Sequence, residues 1–282
     1  MKIIFLGTSA ATSCPLIFCK CKVCENARIN KGKDIRKRTS LLINDDLLID
    51  LGPDVPTSAA MYNIDLTKVK YILQTHGHSD HFDAGHLITR LREYASEHVE
   101  YISLFASRET INTLDMWLKT EEPKSDLFDS DWLNRLYIDI KYISHGKRIK
   151  IGAYFVTPLE SLHDERDNSL IFLINYNNKN IMYGTDLLKI SDNVWNILKS
   201  FKLDLVILDQ TYGKGRNAGG HLDAGEVTDI VSKMSKEKII DESSMVYATH
   251  ISHEGNDIHD VMEQLAIENG YHIAYDGLEI NI

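Results

Sequence analysis

The sequence predicts a four-layer α/β/β/α sandwich, in which two β-sheets pack face to face and helices cover both outer surfaces. Short apolar strands recur along the chain, each block of strands closes with helices, and histidine or aspartate follows several strand ends. A sheet must bury its hydrophobic face, and two stacked sheets covered by helices achieve this. At 282 residues the chain has ample core for one domain, which we expect to span 1–282.

The composition indicates a soluble protein of a reducing compartment. The chain is 43% hydrophobic with a net charge of -10, which argues against binding nucleic acid, because duplex binding depends on basic contacts to phosphate. The apolar run at 1–7 is too short for a signal peptide or a membrane span. We therefore expect a cytoplasmic protein without a membrane or nucleic-acid partner, and a homodimer stays open.

The first half of the chain is predicted to form strands and helices in alternation. Apolar runs predict strands at 2–6, 40–44, 47–49, 71–74 and 102–105. Apolar spacing and two early prolines predict helices at 53–62, 84–96 and 108–118. We interpret the basic run at 31–38 as a solvated loop and the acidic, irregular segment at 119–136 as a lid or a dimer contact.

The second half is predicted to form a block of short strands followed by helices. The strands are predicted at 138–143, 148–151, 154–159, 170–175, 181–183, 205–208 and 245–248. The helices are predicted at 192–201, 224–234 and 258–269. This second block supplies the other sheet of the sandwich.

A dense group of metal-type ligands follows the strand predicted at 71–74. His76, His78, Asp80 and His81 place three imidazoles and a carboxylate within six residues. Imidazole and carboxylate together suit divalent zinc, manganese or iron. Two ligand pairs so close in sequence cannot easily serve one ion. We therefore expect a two-metal site, with His76 and His78 facing one ion and Asp80 and His81 facing the other.

Three further ligands are predicted just past the ends of other apolar strands. These are His163, Asp186 and His250. Residues at the same ends of strands in one sheet converge, so dispersed positions can build one site. The assignment that balances charge adds His163 to the first ion and His250 to the second, with Asp186 as the bridge. A water shared by two cations ionises near neutral pH, so a metal-bridging hydroxide is the expected nucleophile for hydrolysis of a phosphate ester.

The four cysteines lie at positions 14, 19, 21 and 24, within eleven residues. This crowding excludes a disulfide framework and indicates metal binding. Cys19, Cys21 and Cys24 supply three thiolates, and a structural zinc needs a fourth ligand from elsewhere in the chain.

The motif His76-Gly77-His78-Ser79-Asp80-His81, with its later ligands, resembles the hydrolases of the metallo-β-lactamase superfamily. A narrower resemblance rests on three segments: the cysteine motif, the run Thr249-His250-Ile251-Ser252-His253 and the ending at 275–280. Together they look like the phosphoribosyl cyclic phosphodiesterases of the carbon-phosphorus lyase pathway, which open a 1,2-cyclic phosphate on ribose 5-phosphate. The resemblance runs nearly end to end, although the stretch at 94–142 is longer than the family's core.

This resemblance implies roles for further residues. It makes His253 the fourth ligand of a structural zinc that ties an N-terminal loop, at about 14–38, to the last strand. It makes His221 the general acid that protonates the departing ribose oxygen, and Asp50 a carboxylate that orients a metal ligand. Lys214 and Arg216 either grip a substrate phosphate or lie in solvent. Cys14 is left as a spare thiol, and the remaining histidines, 86, 98, 145, 259 and 272, are assigned to the surface.

The expected function is therefore hydrolysis of a small cyclic ribose phosphate by two catalytic metals, manganese, zinc or iron, beside one structural zinc. In that reaction Asp80, Asp186 and His221 are the catalytic residues. An RNA-processing nuclease of the same superfamily is an alternative, but it predicts a basic face and an RNA-gripping arm. A non-catalytic relative from cofactor biosynthesis is a second alternative, but it usually lacks the full ligand set. A lactamase or thioesterase is less favoured, because Asp80 completes a second metal position suited to phosphoesters.

Overall fold

The computed structural model describes residues 1–95, 97, 99–164, 166–216 and 219–282. The strands are β1 (Lys2–Gly7), β2 (Ser40–Ile43), β3 (Leu47–Ile49), β4 (Tyr71–Leu73), β5 (Ile102–Ala106), β6 (Ile138–Tyr142), β7 (Ile149–Ile151), β8 (Tyr154–Glu160), β9 (Leu170–Tyr176), β10 (Lys179–Gly184), β11 (Leu205–Asp209), β12 (Met245–Thr249), β13 (His272–Ile273) and β14 (Glu279–Asn281). The helices are α1 (Lys22–Asn30), α2 (Val55–Tyr62), α3 (Gly85–Ile88), α4 (Arg108–Glu121), α5 (Ser130–Leu136), α6 (Asp192–Leu198), α7 (Ala224–Lys236) and α8 (His259–Glu268). Single 3₁₀ turns lie at Gly32–Asp34 and Leu66–Lys68.

The strands form two sheets of seven. The first has the order β14-β1-β2-β3-β4-β5-β6, and the second has the order β13-β12-β11-β10-β9-β8-β7. Strands β3 to β6 are parallel, and so are β10 to β13. Because parallel strands end at the same edge of a sheet, the residues that follow them gather in one place.

Three buried clusters define the four layers. The middle cluster lies between the sheets and includes Phe5 and Ile43 from the first sheet with Phe172 and Ile207 from the second. A second cluster packs the outer face of the first sheet against α2, α3 and α4. A third packs the outer face of the second sheet against α6, α7 and α8. The predicted α/β/β/α sandwich is confirmed.

The sequence placed several element boundaries incorrectly. The helix predicted at 84–96 is only α3, although Leu87 and Leu91 are buried as its spacing requires. After α3 the chain continues in single turns, and the guanidinium of Arg90 donates to the backbone carbonyls of Leu136 and Tyr137, just before β6. Strand β6, grouped by sequence with the second block, pairs with β5 in the first sheet.

The segment predicted to be irregular at 119–136 contains regular structure. Helix α4 continues to Glu121, and α5 begins after Asp129, whose carboxylate accepts a hydrogen bond from the backbone N–H of Asp131. Leu127 lies between the two helices, and its backbone N–H donates at 2.8 Å to the buried carboxylate of Asp115 on α4. The short polar strands β13 and β14 and the helix α1 were not predicted, because their sequences lack a long apolar run.

The basic run at 31–38 is solvated only at its start, at 31–33, because Arg36 is only 3% exposed. Its guanidinium donates to the Thr8 hydroxyl at 2.8 Å, to the Ala274 carbonyl at 2.6 Å and to His259 Nδ1 at 2.9 Å. His259, assigned by sequence to the surface, is also buried, and burial together with the Arg36 charge lowers its pKa to about 3. Neutral His259 is therefore the acceptor for Arg36.

We expect Arg36→Met to lower the free energy of unfolding by roughly 3 kcal/mol, because it leaves buried acceptors without their donor. Urea unfolding followed by circular dichroism measures the change. Lys147→Met, which alters an exposed loop cation, is the matched control. An Arg36→Met protein with the wild-type midpoint and slope would contradict this account of the buried cluster.

Candidate metal centre

The predicted ligands of the first ion come together at one edge of the sandwich. His76 and His78 follow β4, and His163 follows β8. His163 Nε2 lies 3.4 Å from His78 Nδ1 and 3.4 Å from Asp186 Oδ1. His76 Nε2 lies 3.9 Å from the same carboxylate oxygen. The three imidazoles can hold one ion, with Asp186 beside them.

The predicted ligands of the second ion form an adjacent group around the other oxygen of Asp186. His81 Nε2 lies 2.8 Å and His250 Nε2 3.3 Å from Asp186 Oδ2. The same two nitrogens lie 3.3 Å and 3.6 Å from Asp80 Oδ2. Asp186 therefore stands between the two groups, as the sequence predicted.

Buried polar atoms without a partner mark the centre of this site. Within the described part of the chain, His76 Nε2, His81 Nε2, His250 Nε2 and Asp186 Oδ2 are buried, and although some of them lie close to one another, none has a partner in hydrogen-bonding geometry. An unpaired buried polar atom costs about 1–3 kcal/mol, so a concentration of them needs an explanation. Imidazole nitrogens and a carboxylate that face one another are the donor set of a divalent metal, and the residues fit such ions.

The electrostatics of the site favour positive charge. Burial alone would lower the pKa of His250, but the Asp186 and Asp209 carboxylates raise it to about 10. Burial likewise opposes charge on His81, yet Asp186, Asp80 and Asp50 raise its pKa well above the usual range. Carboxylates that stabilise protons on imidazoles in this way also stabilise bound cations.

The backbone holds three of these residues in an uncommon conformation. Asp50, Asp186 and His250 each follow a strand and adopt positive φ angles of 64°, 51° and 59°. Aspartate and histidine tolerate the left-handed region better than most residues, but the conformation still stores strain. Each strand thus turns sharply at its end and directs a polar side chain into the site.

Asp50 orients His81, in agreement with the role that the resemblance implied. Its Oδ2 lies 2.7 Å from His81 Nδ1, and its carboxylate also accepts from the backbone N–H and hydroxyl of Thr75. The proton on Nδ1 leaves Nε2 of His81 free to face the centre of the site.

Asp209 is a site residue that the sequence interpretation missed. It ends β11, and its Oδ2 lies 3.1 Å from His221 Nδ1 and 3.3 Å from His250 Nδ1. Burial would raise its pKa, but hydrogen bonds from His221 and His250 outweigh burial and lower the pKa to about 2. The sequence pattern could have identified it, because Asp209 directly follows the strand predicted at 205–208, just as the predicted ligands follow other strands.

His221 lies inside the site. Its ring stacks on that of His250, with centroids 5.2 Å apart, and lies 4.5 Å from that of His163. Its Nδ1 is 3.8 Å from Asp186 Oδ1. Asp223, two residues after His221, caps α7 through a reciprocal pair of hydrogen bonds with Glu226. These bonds fix the segment that carries His221. Because His221 also groups with Asp186, Asp209 and His250, the geometry accommodates either a proton donor or a metal ligand.

Two further carboxylates, Asp164 and Asp167, support the metal loop. Asp164 Oδ2 lies 3.2 Å from His78 Nε2 and also accepts from Arg166 at 2.8 Å. Asp167 accepts a hydrogen bond from the backbone N–H of Gly77. No sequence pattern singled these residues out, because neither follows the end of a predicted strand.

Helix α4 holds the same loop from the other side. The indole Nε1 of Trp117 donates to the Gly77 carbonyl at 2.9 Å. Thr113, one turn earlier, packs so tightly that a Cβ on Gly77 would lie 2.6 Å from its methyl carbon. The stretch at 94–142, which matched no motif, therefore contacts the metal loop directly.

The cysteine cluster forms a separate group with His253. His253 Nδ1 lies 3.4 Å from the sulfur of Cys21 and 3.7 Å from that of Cys19, and Cys24 completes the set. Cys21 caps α1 by accepting from the backbone N–H of Cys24. Burial opposes ionisation of Cys21, but this N–H and the side chains of Cys19 and His253 together outweigh burial and lower its pKa to about 6. The donor set fits a closed tetrahedral zinc site.

The remaining predicted residues lie elsewhere. Cys14 is buried outside this group, and burial raises its pKa to about 11. Lys214 and Arg216 are exposed, and Arg216 pairs with Glu254 at 3.3 Å. His272 is exposed, His86 and His145 are half-buried, and His98 lies outside the described residues. None of the helices in the described part of the chain has the length and apolar character of a membrane span.

Comparison with solved structures reveals the same fold in proteins of several activities. A new diphosphatase from the PhnP family is 22% identical with a TM-score of 0.75, over 99% of this chain and 96% of that chain. Zn²⁺-bound PqqB from Methylobacterium extorquens is 17% identical with a TM-score of 0.74, over 100% of both chains. The short form of human tRNase Z is 16% identical with a TM-score of 0.66, over 100% of this chain and 99% of that chain.

Two sequence comparisons extend this result. An octanoyltransferase from Porphyromonas gingivalis is 40% identical over 85 residues, which are 29% of this chain and 16% of that protein, so the match spans about a sixth of this curated relative. Residues 46–251 match the family model described as the beta-lactamase superfamily domain. That range includes every residue of the two groups around Asp186. The chain therefore belongs to the metallo-β-lactamase superfamily and has the fold of its metal-dependent hydrolases.

Proposed function

We propose that the protein is a two-metal phosphodiesterase that opens a small cyclic ribose phosphate. The observation that carries the proposal is the pair of imidazole groups joined by Asp186, with buried nitrogens that lack any hydrogen-bond partner among the described residues. Two adjacent cation positions suit in-line displacement at phosphorus, where both the attacking and the departing oxygen need stabilisation.

The first ion would be held by His76, His78 and His163, and the second by Asp80, His81 and His250. Asp186 would contact both. When bound, such a pair of zinc, manganese or iron ions activates a water and neutralises charge on the phosphoryl group. The chain's own contribution is orientation, because Asp50 and Asp209 hold the second nitrogens of His81 and His250.

His221 is the proposed general acid. The Asp209 carboxylate accepts from its Nδ1, which leaves Nε2 to donate a proton to the departing ribose oxygen. Stacking on His250 and a tilted contact with His163 fix the ring plane. Asp209 therefore serves both the proposed acid and a proposed metal ligand.

The cysteine group would hold a structural zinc. Three thiolates and one imidazole leave no open position, so this site would join the N-terminal loop to the segment after β12 without taking part in the reaction. His253 is only three residues from His250, so the zinc would also restrain an active-site segment.

The small-molecule substrate is favoured over two alternatives. The similarity to a diphosphatase of the PhnP family supports phosphate ester chemistry in this fold. The similarity to human tRNase Z supports an RNA nuclease, but a net charge of -10 does not suit a polyanionic substrate. PqqB resembles the chain over its full length, and the complete pair of ligand groups favours catalysis over a non-catalytic role.

The first prediction of the proposed function concerns turnover. Metal-loaded wild-type protein should open ribose 1,2-cyclic phosphate 5-phosphate, and His221→Ala should lower kcat by about 10²–10⁴-fold while metal content stays unchanged. Phosphate-ester assays with elemental analysis of both proteins test this, and His272→Ala, at an exposed position, is the control. If His221→Ala loses metal, His221 is a ligand and the acid role is excluded.

The second prediction concerns Asp50. Asp50→Asn should weaken binding of one catalytic metal by about 10–100-fold, because His81 loses the carboxylate that orients it. Competition with a chelating dye measures the affinity, and Asp260→Asn on the exposed start of α8 is the control. Equal affinities in wild type and Asp50→Asn would refute this role.

The third prediction concerns the cysteine group. Cys21→Ser should release one zinc per chain and lower the melting temperature, because the site loses a thiolate that also caps α1. Cys14→Ala should keep that zinc, since Cys14 lies outside the group. A Cys21→Ser protein with unchanged zinc content and melting temperature would count against a structural site.

A further inference from the structure

Trp117 presents a large aromatic surface at the edge of the metal loop. The residue is 42% exposed, and its neighbour Met116 is 62% exposed. A tryptophan this accessible is uncommon away from binding surfaces, where one end of the ring is satisfied and the other contacts a ligand. Met116 has no role in the metal site described above, and the only part of Trp117 that has one is the indole N–H, which bonds to the metal loop.

The indole is fixed in place by the metal loop itself. Its Nε1 donates to the carbonyl of Gly77, the residue between His76 and His78. The other polar backbone group of Gly77 donates to Asp167, which also accepts from Thr113 on the same helix as Trp117. The ring is therefore positioned relative to the ligands before any substrate arrives, which reduces the entropy cost of binding.

Trp117 lies close to an exposed part of the metal loop. Its indole bonds to the carbonyl of Gly77, and the next residue, His78, has a side chain that is 41% exposed, whereas those of His76 and His81 are fully buried. A substrate that reaches the site past His78 would therefore pass near the indole, whose polar edge is already bonded.

We propose that Trp117 forms a ring-binding subsite that stacks a planar aromatic group of the substrate, a nucleobase, beside the metal site. The inference rests on the proposed phosphodiesterase function and goes beyond it, because ribose 1,2-cyclic phosphate 5-phosphate carries no base. Stacking also requires no basic surface, so it is compatible with the net charge of -10. Base stacking on an aromatic side chain tolerates any base, so the subsite selects for a ring rather than for one sequence.

The kinetic test compares a cyclic phosphate with a base against one without. For adenosine 2′,3′-cyclic phosphate, Trp117→Leu should lower kcat/KM about tenfold more than it does for ribose 1,2-cyclic phosphate 5-phosphate. Trp117→Phe retains an aromatic face but loses the hydrogen bond to Gly77. It should therefore affect both substrates to a similar extent. Equal losses for the two substrates in Trp117→Leu would overturn the proposal.

A binding test does not depend on turnover. Calorimetry on metal-loaded protein should detect adenosine 5′-monophosphate binding about tenfold more weakly in Trp117→Leu than in wild type, with a clearly smaller loss for ribose 5-phosphate, which responds only to the lost bond to Gly77. Trp132→Leu is the matched control, because that indole lies on α5 under the Arg135 guanidinium. Equal weakening of both ligands would assign the ring to sugar contact and exclude a base subsite.

The two tests separate the inference from the function it rests on. If wild type cleaves neither cyclic phosphate, the phosphodiesterase proposal fails, while the calorimetry still decides whether Trp117 binds a base. If wild type cleaves both and Trp117→Leu leaves their ratio unchanged, only the ring subsite fails.

Discussion

The Asp186 carboxylate is the interaction on which the site depends. Its two oxygens face two different groups of imidazoles, one delivered mainly by the loop after β4 and the other completed by the residue after β12. A buried carboxylate is costly unless positive charge surrounds it. The first sheet contributes His76 and His81, and the second contributes Asp186 and His250. The attraction between these imidazoles and the Asp186 carboxylate therefore also joins the edges of the two sheets.

Every imidazole that faces the centre of the site is held at its other nitrogen. Thr75 contacts His76, Asp164 contacts His78 and Asp50 contacts His81. Gly220 accepts from His163 through its backbone carbonyl, while Thr211 and Asp209 contact His250. Such contacts fix both the tautomer and the plane of each ring. Polar contacts around the site thus serve to orient the imidazole rings.

The sequence predicted the layers and the facing side chains because both leave local patterns. An apolar run followed by histidine or aspartate marks a strand end, and the same pattern at Asp209 was overlooked. Contacts between distant segments leave no such pattern. Arg36 bonds to Ala274 and His259, more than 220 residues away, and Arg90, just past the end of α3, bonds to carbonyls at 136–137. A prediction from local propensity alone therefore makes the helix at 84–96 too long and places Arg36 in solvent.

The four residues at 250–253 contribute a side chain to each of two separate groups, the one around Asp186 and the one around the cysteines. Ordering this segment restricts its backbone once, whichever group is completed first. The second group then forms on a backbone segment whose conformational entropy has already been lost. If both groups bind metal, the two binding events would consequently be linked, so that an ion in the cysteine group would increase the affinity at His250 and the reverse would hold by the same amount.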